Sequence, residues 1–307
     1  MRILIVGGTG LIGGHAALAL RERGHEVTLA ARKPAAPGSP MAAFPTVSGD
    51  YIEGTFQRET IAKFDALLFA AGNDPRHLRG RSDEDVHWQR VNSECVPRFF
   101  ALARDAGIER AVNIGSFYPQ AAPHLTERSA YVRSRKDVDE RVRALNSASF
   151  QVCCVNPPFV VGVPPGDPKP KVFNYVRYAL GLLEGTPVFA IPGGVNFMSV
   201  HSLSDAIAGA FERGEPGKSY LVGDENLTFQ AYLTEYFRAV GRGDVPPVRD
   251  ADHPLMPPSI GGPGTELFFE PPPADVAMLG YRRADIRRTV EEIVSLYWAR
   301  RLTAASP

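Results

Sequence analysis

The stretch "RILIVGGTGLIGGHAALALRERG", residues 2–24, changes pattern twice, and those changes decide how the rest of the chain is read. "RILIV" is a continuous branched apolar run, as expected of a strand buried on both faces. From Leu11 to Arg23 the apolar residues recur at helical spacing, and Gly24 stands where a helix-ending glycine belongs. Between the two segments Gly7, Gly10 and Gly13 keep a GxxGxxG spacing. A glycine triplet alone carries little weight. Directly after a buried strand and at the opening of a helix, it marks a turn built for a dinucleotide pyrophosphate. Such a turn must be sharp, must bring backbone N–H groups close to the phosphates, and must present them with the positive end of a helix dipole.

Outward from this unit the same alternation continues. "HEVTLAAR" (25–32), "FDALLFAAG" (64–72), "RAVNIGS" (110–116) and "FQVCCVNPP" (150–158) read as strands; "VNSECVPRFFALARDAG" (91–107) and "YVRSRKDVDERVRALNS" (131–147) read as helices. Strands alternating with helices imply a parallel sheet covered on both faces, an α/β doubly wound architecture. After Pro157 the texture changes. "NPPFVVGVPPGDPKPK" (156–171) and "DVPPVRDADHPLMPPSIGGPGTE" (244–266) are rich in proline and glycine and read as long loops. Helices are expected in "VFNYVRYALGLLEG", "SDAIAGAFERG", "TFQAYLTEYFRAVGR" and near 284–302, with a strand in "KSYLVGD". The expected organisation is a nucleotide-binding core, 1–157, to which 188–225 returns, and a smaller loop-rich part, 158–187 and 226–307, that binds substrate.

Composition narrows the function classes. Lysine plus arginine equals aspartate plus glutamate at 34 each, with no long run of either sign. This argues against a nucleic-acid or anionic-membrane surface and leaves a small molecule as the expected partner. Cys95, Cys153 and Cys154 have no metal-ligand spacing, and an odd number with two adjacent suits a reducing compartment. The seven histidines include no pair with zinc-site spacing. No apolar run is long enough to span a bilayer. Glycines and early charges interrupt the N-terminal stretch, so it reads as mature structure of a cytosolic protein rather than a signal peptide.

The end of the second strand sets cofactor choice. A carboxylate there would accept from the 2′-hydroxyl of NAD and repel a 2′-phosphate. The chain has "LAARKP" instead: no acid, but Arg32 and Lys33. Two cations suit the 2′-phosphate, so NADP is expected, with NAD still open. Asp50, after the run ending at Ser48, is placed to meet the adenine.

In order along the chain, "GGTGLIGGH", "GD" (49–50), "FAAG" (69–72), Asn92, "IGS" (114–116), "YVRSRKDVDE", "NPPFVVG" (156–162), "FMSVHSLSDAI" (197–207) and "LGYRRADIRRTVEEIVSLYW" resemble the extended branch of the short-chain dehydrogenase/reductase superfamily. Within it, the chain is most similar to the NAD(P)-dependent epimerase/dehydratase and dihydroflavonol-reductase-like group. The resemblance covers nearly the whole chain. It implies a Rossmann-type parallel sheet of about seven strands, a C-terminal substrate-binding part, and a Ser/Thr–Tyr–Lys site at the sheet's C-terminal edge. It further implies cofactor contacts from Gly7, Thr9, Gly10, Leu11, Ile12 and Gly13, from Arg32, Lys33, Asp50 and Tyr51, from Ala70, Ala71 and Gly72, and from Asn92, Pro157 and Phe159. Asn73, Tyr118, Tyr175 and Phe268 are the matching candidates for substrate contacts. The family often dimerises through a helix pair, here 91–107 and 131–146.

On the resemblance, Ser116 takes the serine position and Tyr131 that of the proton-donating tyrosine. The chemistry supports such roles independently. A tyrosine with an ordinary pKa near 10 needs a fixed cation nearby to favour its phenolate. Hydride transfer to a carbonyl builds negative charge on oxygen, which aimed O–H groups stabilise. Two departures stand out. Many relatives have two hydroxyl residues where this chain has Gly115–Ser116, and Tyr-x-x-x-Lys here reads Tyr-x-x-x-Arg, with Arg135 fourth and Lys136 fifth after Tyr131. At about 100° per residue, Arg135 sits roughly 40° from Tyr131 around a helix and Lys136 roughly 140°. Only Arg135 shares the tyrosine's face, unless a one-residue bulge or a later helix start brings Lys136 round. An arginine stays charged and can bind ribose hydroxyls, but it cannot enter a proton relay as lysine can.

Three functions fit these residues. The first is an NADP-dependent oxidoreductase that interconverts a carbonyl and a secondary alcohol on a fairly bulky substrate, with Phe159, Tyr175, Met256, Leu267 and Phe268 lining its pocket. The second is a nucleotide-sugar epimerase or dehydratase with tightly bound NAD, for which Arg177, Arg242 and Arg249 would reach the pyrophosphate. The third is a sensor or scaffold that binds NADP without turnover.

Overall fold

A computed structural model of the chain describes residues 1–72, 83–256 and 260–305. Its strands are β1 (Arg2–Val6), β2 (Glu26–Ala31), β3 (Thr46–Ser48), β4 (Ala66–Phe69), β5 (Arg110–Ile114), β6 (Gln151–Asn156), β7 (Phe159–Val161), β8 (Gly194–Ser199), β9 (Ser219–Leu221), β10 (Glu225–Thr228) and β11 (Glu266–Leu267). Its helices are α1 (Leu11–Glu22), α2 (Arg58–Ile61), α3 (Glu84–Trp88), α4 (Cys95–Asp105), α5 (Tyr118–Ala121), α6 (Leu125–Arg128), α7 (Ala130–Arg143), α8 (Phe173–Ala179), α9 (Val200–Arg213), α10 (Phe229–Ala239), α11 (Pro273–Leu279) and α12 (Ile286–Ala305).

The main sheet has seven strands in the order β3-β2-β1-β4-β5-β6-β9. Every pairing in it is parallel, so the doubly wound expectation holds. The first strand explains why both faces are covered. Ile3 and Ile5 point into a core shared with Ala16 and Leu20 of α1 and Leu203 and Ile207 of α9. Leu4 and Val6 point the other way, among Phe99 and Phe100 of α4 and Val138 and Val142 of α7. A strand apolar at every position has no face for water and needs helices on both sides. The chain reverses direction across the sheet between β1 and β4, and the crevice beyond their C-terminal ends is where such sheets bind ligands.

A second, smaller sheet is centred on β8. β10 pairs antiparallel along one edge, while β7 and β11 run parallel on the other. This corrects the expected division of the chain. Segment 188–225 does not return to the main sheet as a whole: only α9 and β9 do so, while β8 and the start of β10 build the second sheet. Likewise "FVV" in the first proline-rich loop is β7, held in register by Phe159 opposite Phe197. A three-residue strand between prolines has no periodicity of its own, which is why it reads as loop. The second proline-rich stretch does lack helix from 240 to 265 among the described residues; Val248 forms an isolated bridge with Ala190, and the stretch joins the second sheet at its end, where Glu266 of β11 lies opposite Gly194. The helix expected to start at 91 begins earlier, with α3, and passes through a π-helical turn, Gln89–Glu94, before α4.

No helix among the described residues is long and apolar enough to cross a membrane. The three cysteines are unpaired and buried, and burial pushes the Cys153 thiol up to about 11, which leaves it inert.

The long α12 is tied to α9 by His201 Nε2 and Glu292 Oε2 at 2.7 Å, and His15 of α1 meets the His201 ring edge-on. The hydrogen bond to Glu292 raises the His201 pKa above 6.5, and the same bond lowers the Glu292 pKa below 4.5. Stability from His201 is therefore full below about pH 6.5 and lost as pH rises through its folded pKa, while that from Glu292 is lost as pH falls below its ordinary value. His201→Gln should thus lower the thermal midpoint at pH 5.5 by more than at pH 8. Equal losses at both pH values, by calorimetry, would exclude an ionic tie.

Candidate active site

The glycine turn is built as the sequence requires. Gly7 has φ of +83°, and a β-carbon on it would lie 2.8 Å from the Ala70 backbone; one on Gly13 would overlap the Gly7 carbonyl. Close packing of the turn against the end of β4 thus excludes side chains. Gly10 caps α1 without a side-chain bond, and the first turn of α1 carries no acid. The opening N–H groups of the helix, with its dipole, therefore have no acidic side chain of their own turn to engage them. Thr9, Gly10 and Leu11 line a cleft of about 290 Å³ whose far wall is Ala35, Ala36, Ser39 and Pro164–Asp167. Ile12 turns inward and packs on the core.

At the end of β2, Arg32 and Lys33 are exposed, and neither side chain makes a hydrogen bond or ion pair with a described residue. Asp50 is engaged locally, where its Oδ1 accepts from Ile52 N at 2.8 Å. Tyr51 is buried edge-on against Phe69, and its hydroxyl donates to Ala71 O at 3.3 Å, which steadies the backbone of Ala70–Gly72. Pro157 O accepts from Phe117 N at 3.3 Å and joins the end of β6 to the turn after β5.

Beyond β5, Ser116 is 8% exposed, and its hydroxyl has no hydrogen-bond partner among the described residues. Two single-turn helices, α5 and α6, fill the short span to Tyr131. Ser129 then caps α7 by accepting from Val132 N, and the helix runs to Arg143 without a bulge. That regularity separates the two cations. Arg135 is 6% exposed and turned into the protein: its Nη2 donates to Ile114 O at 2.8 Å, and its Nη1 lies 3.4 Å from where a β-carbon on Gly72 would be. Its guanidinium therefore spans the C-terminal ends of β4 and β5. Its Nε is buried without a partner, and no carboxylate pairs with it among the described residues. Lys136 faces the other way, half exposed, with Glu140 Oε1 at 3.8 Å. The geometry by which Lys136 would come round to Tyr131 does not occur.

Asn92 lies fully buried in the π-helical turn and donates through Nδ2 to Ser134 Oγ at 3.0 Å, which donates in turn to Tyr131 O at 2.7 Å. It therefore supports the first turn of α7. Irregular helical turns of this kind recur at functional sites.

An aromatic row borders the same place. Trp88 meets Tyr131 at 5.1 Å between centroids, Tyr131 meets Tyr118 at 6.3 Å, Tyr118 meets Phe117 at 4.1 Å, and Phe117 stacks on Phe269 at 5.8 Å. Trp88, Phe117 and Phe269 are not among the residues that the sequence alone points to, yet two carry a signal there. Trp88 precedes Asn92 by four residues, hence on one helical face, and Phe269 follows buried Leu267 at strand alternation. By the same alternation Phe268 is exposed and packs over Gly194 rather than against Phe117. Met256 and Leu267 are buried in the same apolar cluster as Phe117, and Phe159 and Tyr175 pack half-buried against it: Phe159 meets Phe197, and the Tyr175 hydroxyl donates to Leu255 O at 3.2 Å. Asn73 lies outside the described residues.

The arginines expected to reach a pyrophosphate are engaged elsewhere or exposed. Arg242 pairs with Asp244 and donates to Ala179 O at 2.7 Å, Arg249 lies over the Phe189 ring, and Arg177 is exposed.

Comparison with known proteins agrees with this architecture. UDP-glucose 4-epimerase from Bifidobacterium longum, solved in complex with NAD+ and UDP, superposes with a TM-score of 0.74 over 100% of both chains at 14% identity. UDP-N-acetylglucosamine 4-epimerase from Bacillus cereus superposes with a TM-score of 0.73 over 97% of this chain and 99% of that one, also at 14% identity. In sequence, a 3-beta-hydroxysteroid dehydrogenase of Mycolicibacterium neoaurum is 31% identical over 121 residues, 38% of this chain; the match spans only 32% of that enzyme's length. The model of the NAD dependent epimerase/dehydratase family matches residues 3–223. With that match, the parallel seven-stranded sheet and the glycine turn at its switch point, the chain belongs to the NAD-dependent epimerase/dehydratase family.

Proposed function

We propose that this protein is an NAD(P)H-dependent oxidoreductase that interconverts a carbonyl and a secondary alcohol on a fairly bulky, partly apolar small molecule, with NADP as the favoured cofactor. The observation that carries the reading is Arg135, a buried guanidinium at the sheet's C-terminal edge, on Tyr131's helical face, with Nε unpartnered among the described residues. Burying such a cation with an unfilled donor is costly unless a ligand supplies the missing acceptor. Ribose hydroxyls beside Gly72 and Ile114 would do so, and the acid-free opening of α1 suits the pyrophosphate.

A bound nicotinamide dinucleotide supplies or takes up the hydride. Tyr131 donates its phenolic proton to the substrate oxygen on reduction and accepts it on oxidation. The Ser116 hydroxyl, with no partner among the described residues, donates to the same oxygen and stabilises the negative charge that builds there. The fixed positive charge of Arg135, one turn beyond Tyr131, favours the phenolate that remains. Lys136 takes no part.

The aromatic row supports a flat, apolar substrate. It offers the half-buried rings of Tyr118, Tyr131 and Phe269 rather than charge, with buried Trp88 and Phe117 packed behind them, and Arg242, one of the arginines a nucleotide sugar would call on, is held by Asp244. Weight moves to the epimerase reading if NAD stays bound through purification, and to a non-catalytic binder if NADPH binds but is oxidised by no member of a panel of cyclic and aryl ketones and aldehydes. Activity on cyclic ketones is the expected result.

The cofactor preference rests on Arg32 and Lys33, exposed, unpaired among the described residues and without an acid at the end of β2. Replacing both with alanine should raise the NADPH dissociation constant about tenfold to a hundredfold and change that for NADH by less than about threefold. Fluorescence titration with both dinucleotides checks this. Equal effects on the two would remove the 2′-phosphate assignment. Assembly as a homodimer through α4 and α7 belongs to the same reading and is checked by light scattering.

A further inference from the structure

Gly115 occupies a position that cannot carry a side chain here, because a β-carbon would overlap the carboxamide oxygen of Asn156. Asn156 ends β6, the neighbouring strand, and is 2% exposed. Its Nδ2 has three acceptors within reach of its two hydrogens: Gln120 Oε1 at 2.7 Å, Ser219 Oγ at 2.9 Å and Asp139 Oδ2 at 3.2 Å. Ser219 Oγ also donates to Asp139 Oδ2, and Arg143 Nε to Asp139 Oδ1, both at 2.7 Å. The Asn156 oxygen itself is buried with no hydrogen-bond partner among the described residues. An enclosed amide with an unmatched oxygen is unfavourable for stability alone, so its position calls for another benefit.

The elements it joins identify that benefit. Gln120 lies in α5, which begins two residues after Ser116 and carries Tyr118. Asp139 lies in α7, one turn beyond Arg135 and two beyond Tyr131. We infer that Asn156 is a positioning residue of the reaction centre: its carboxamide takes the place of the side chain that Gly115 lacks and locks the turn bearing Ser116 and Tyr118 against the helix bearing Tyr131 and Arg135. The inference rests on the proposed roles of Ser116, Tyr131 and Arg135. Two halves of one site reach it on different elements, and one buried amide group touches both. A shift of about 1 Å between reacting groups can cost about a hundredfold in rate.

The test compares wild type with Asn156→Ala, Gly115→Ser, the double variant Gly115→Ser/Asn156→Ala, and Tyr131→Phe. Reduction of the ketone panel, NADPH affinity and thermal midpoints are measured for each. Asn156→Ala should lower kcat about tenfold to a hundredfold and leave the NADPH dissociation constant within about threefold. Gly115→Ser should lower both kcat and the midpoint. In the double variant the serine enters vacated space, so kcat and the midpoint should both recover, kcat by at least about tenfold over Gly115→Ser alone. A kcat for Asn156→Ala within about twofold of wild type, or a double variant as impaired as the product of the singles, overturns the inference. If Tyr131→Phe keeps full turnover, the underlying assignment fails first. If Tyr131→Phe is inactive and Asn156→Ala is not, only the positioning role falls. A wild-type protein that reduces no panel member removes both.

Discussion

Tyr131→Phe should reduce kcat by about two to four orders of magnitude while NADPH binds within about twofold of wild type. The phenyl ring keeps the edge contact with Trp88 and the place beside Tyr118, so the wall of the site survives while the transferable proton is lost. The separation of effects is diagnostic. Loss of turnover with intact cofactor affinity marks a group that acts in the transition state rather than in ground-state binding. Steady-state kinetics with fluorescence titration provides both numbers, and unchanged turnover would sink the assignment of the proton donor.

Arg135→Ala should act on both quantities. It removes a buried charge that bridges the ends of β4 and β5 and, on the proposed reading, the contact to the nicotinamide ribose. Charge-assisted hydrogen bonds contribute about 1.5–3 kcal/mol each, so a cofactor dissociation constant raised about tenfold to a hundredfold is expected, with a further fall in kcat. Arg135→Lys restores the charge and the residue type usual in the family. It should recover part of the turnover, limited by the shorter reach to Ile114 O. Lys136→Ala should stay within about twofold on both measures, since Lys136 faces solvent beside Glu140. A larger loss from Lys136→Ala than from Arg135→Ala would reverse the assignment of the two cations. Circular dichroism on each variant separates these effects from loss of the α7 packing.

Much of the fold is legible because it is written locally. The run Arg2–Val6 is apolar after its first residue, the helix after it has a 3.6-residue period, and Gly7 between them takes a positive φ that favours glycine. The second sheet is not legible. β7 and β11 have three and two residues, too short for any periodicity, and exist only because β8 offers them an edge. The same division runs through the site. Ser116 and Tyr131 can be located from their order along the chain, and α7 can be phased well enough to prefer Arg135. Phe117 and Phe269 join the wall only through a stacking contact between segments far apart in sequence. Met256 and Leu267, apolar and in a loop-rich region, fit a pocket wall by sequence and are buried in the same apolar cluster as Phe117, because apolarity does not distinguish a wall from the core behind it.

What the sequence determined by itself was the parallel core, the glycine turn after its first strand, the absence of an acid at the end of β2 and the exchange of lysine for arginine after Tyr131. Each of these depends on neighbours within a few residues. Only the tertiary structure decided that Arg135 turns into the protein while Lys136 faces away, that Asn92 supports Tyr131 through Ser134, and that Gly115 yields its space to Asn156. These depend on which side chains meet when separate strands and helices close on one another. Such contacts are set by packing density and burial, and no local pattern in the chain encodes them.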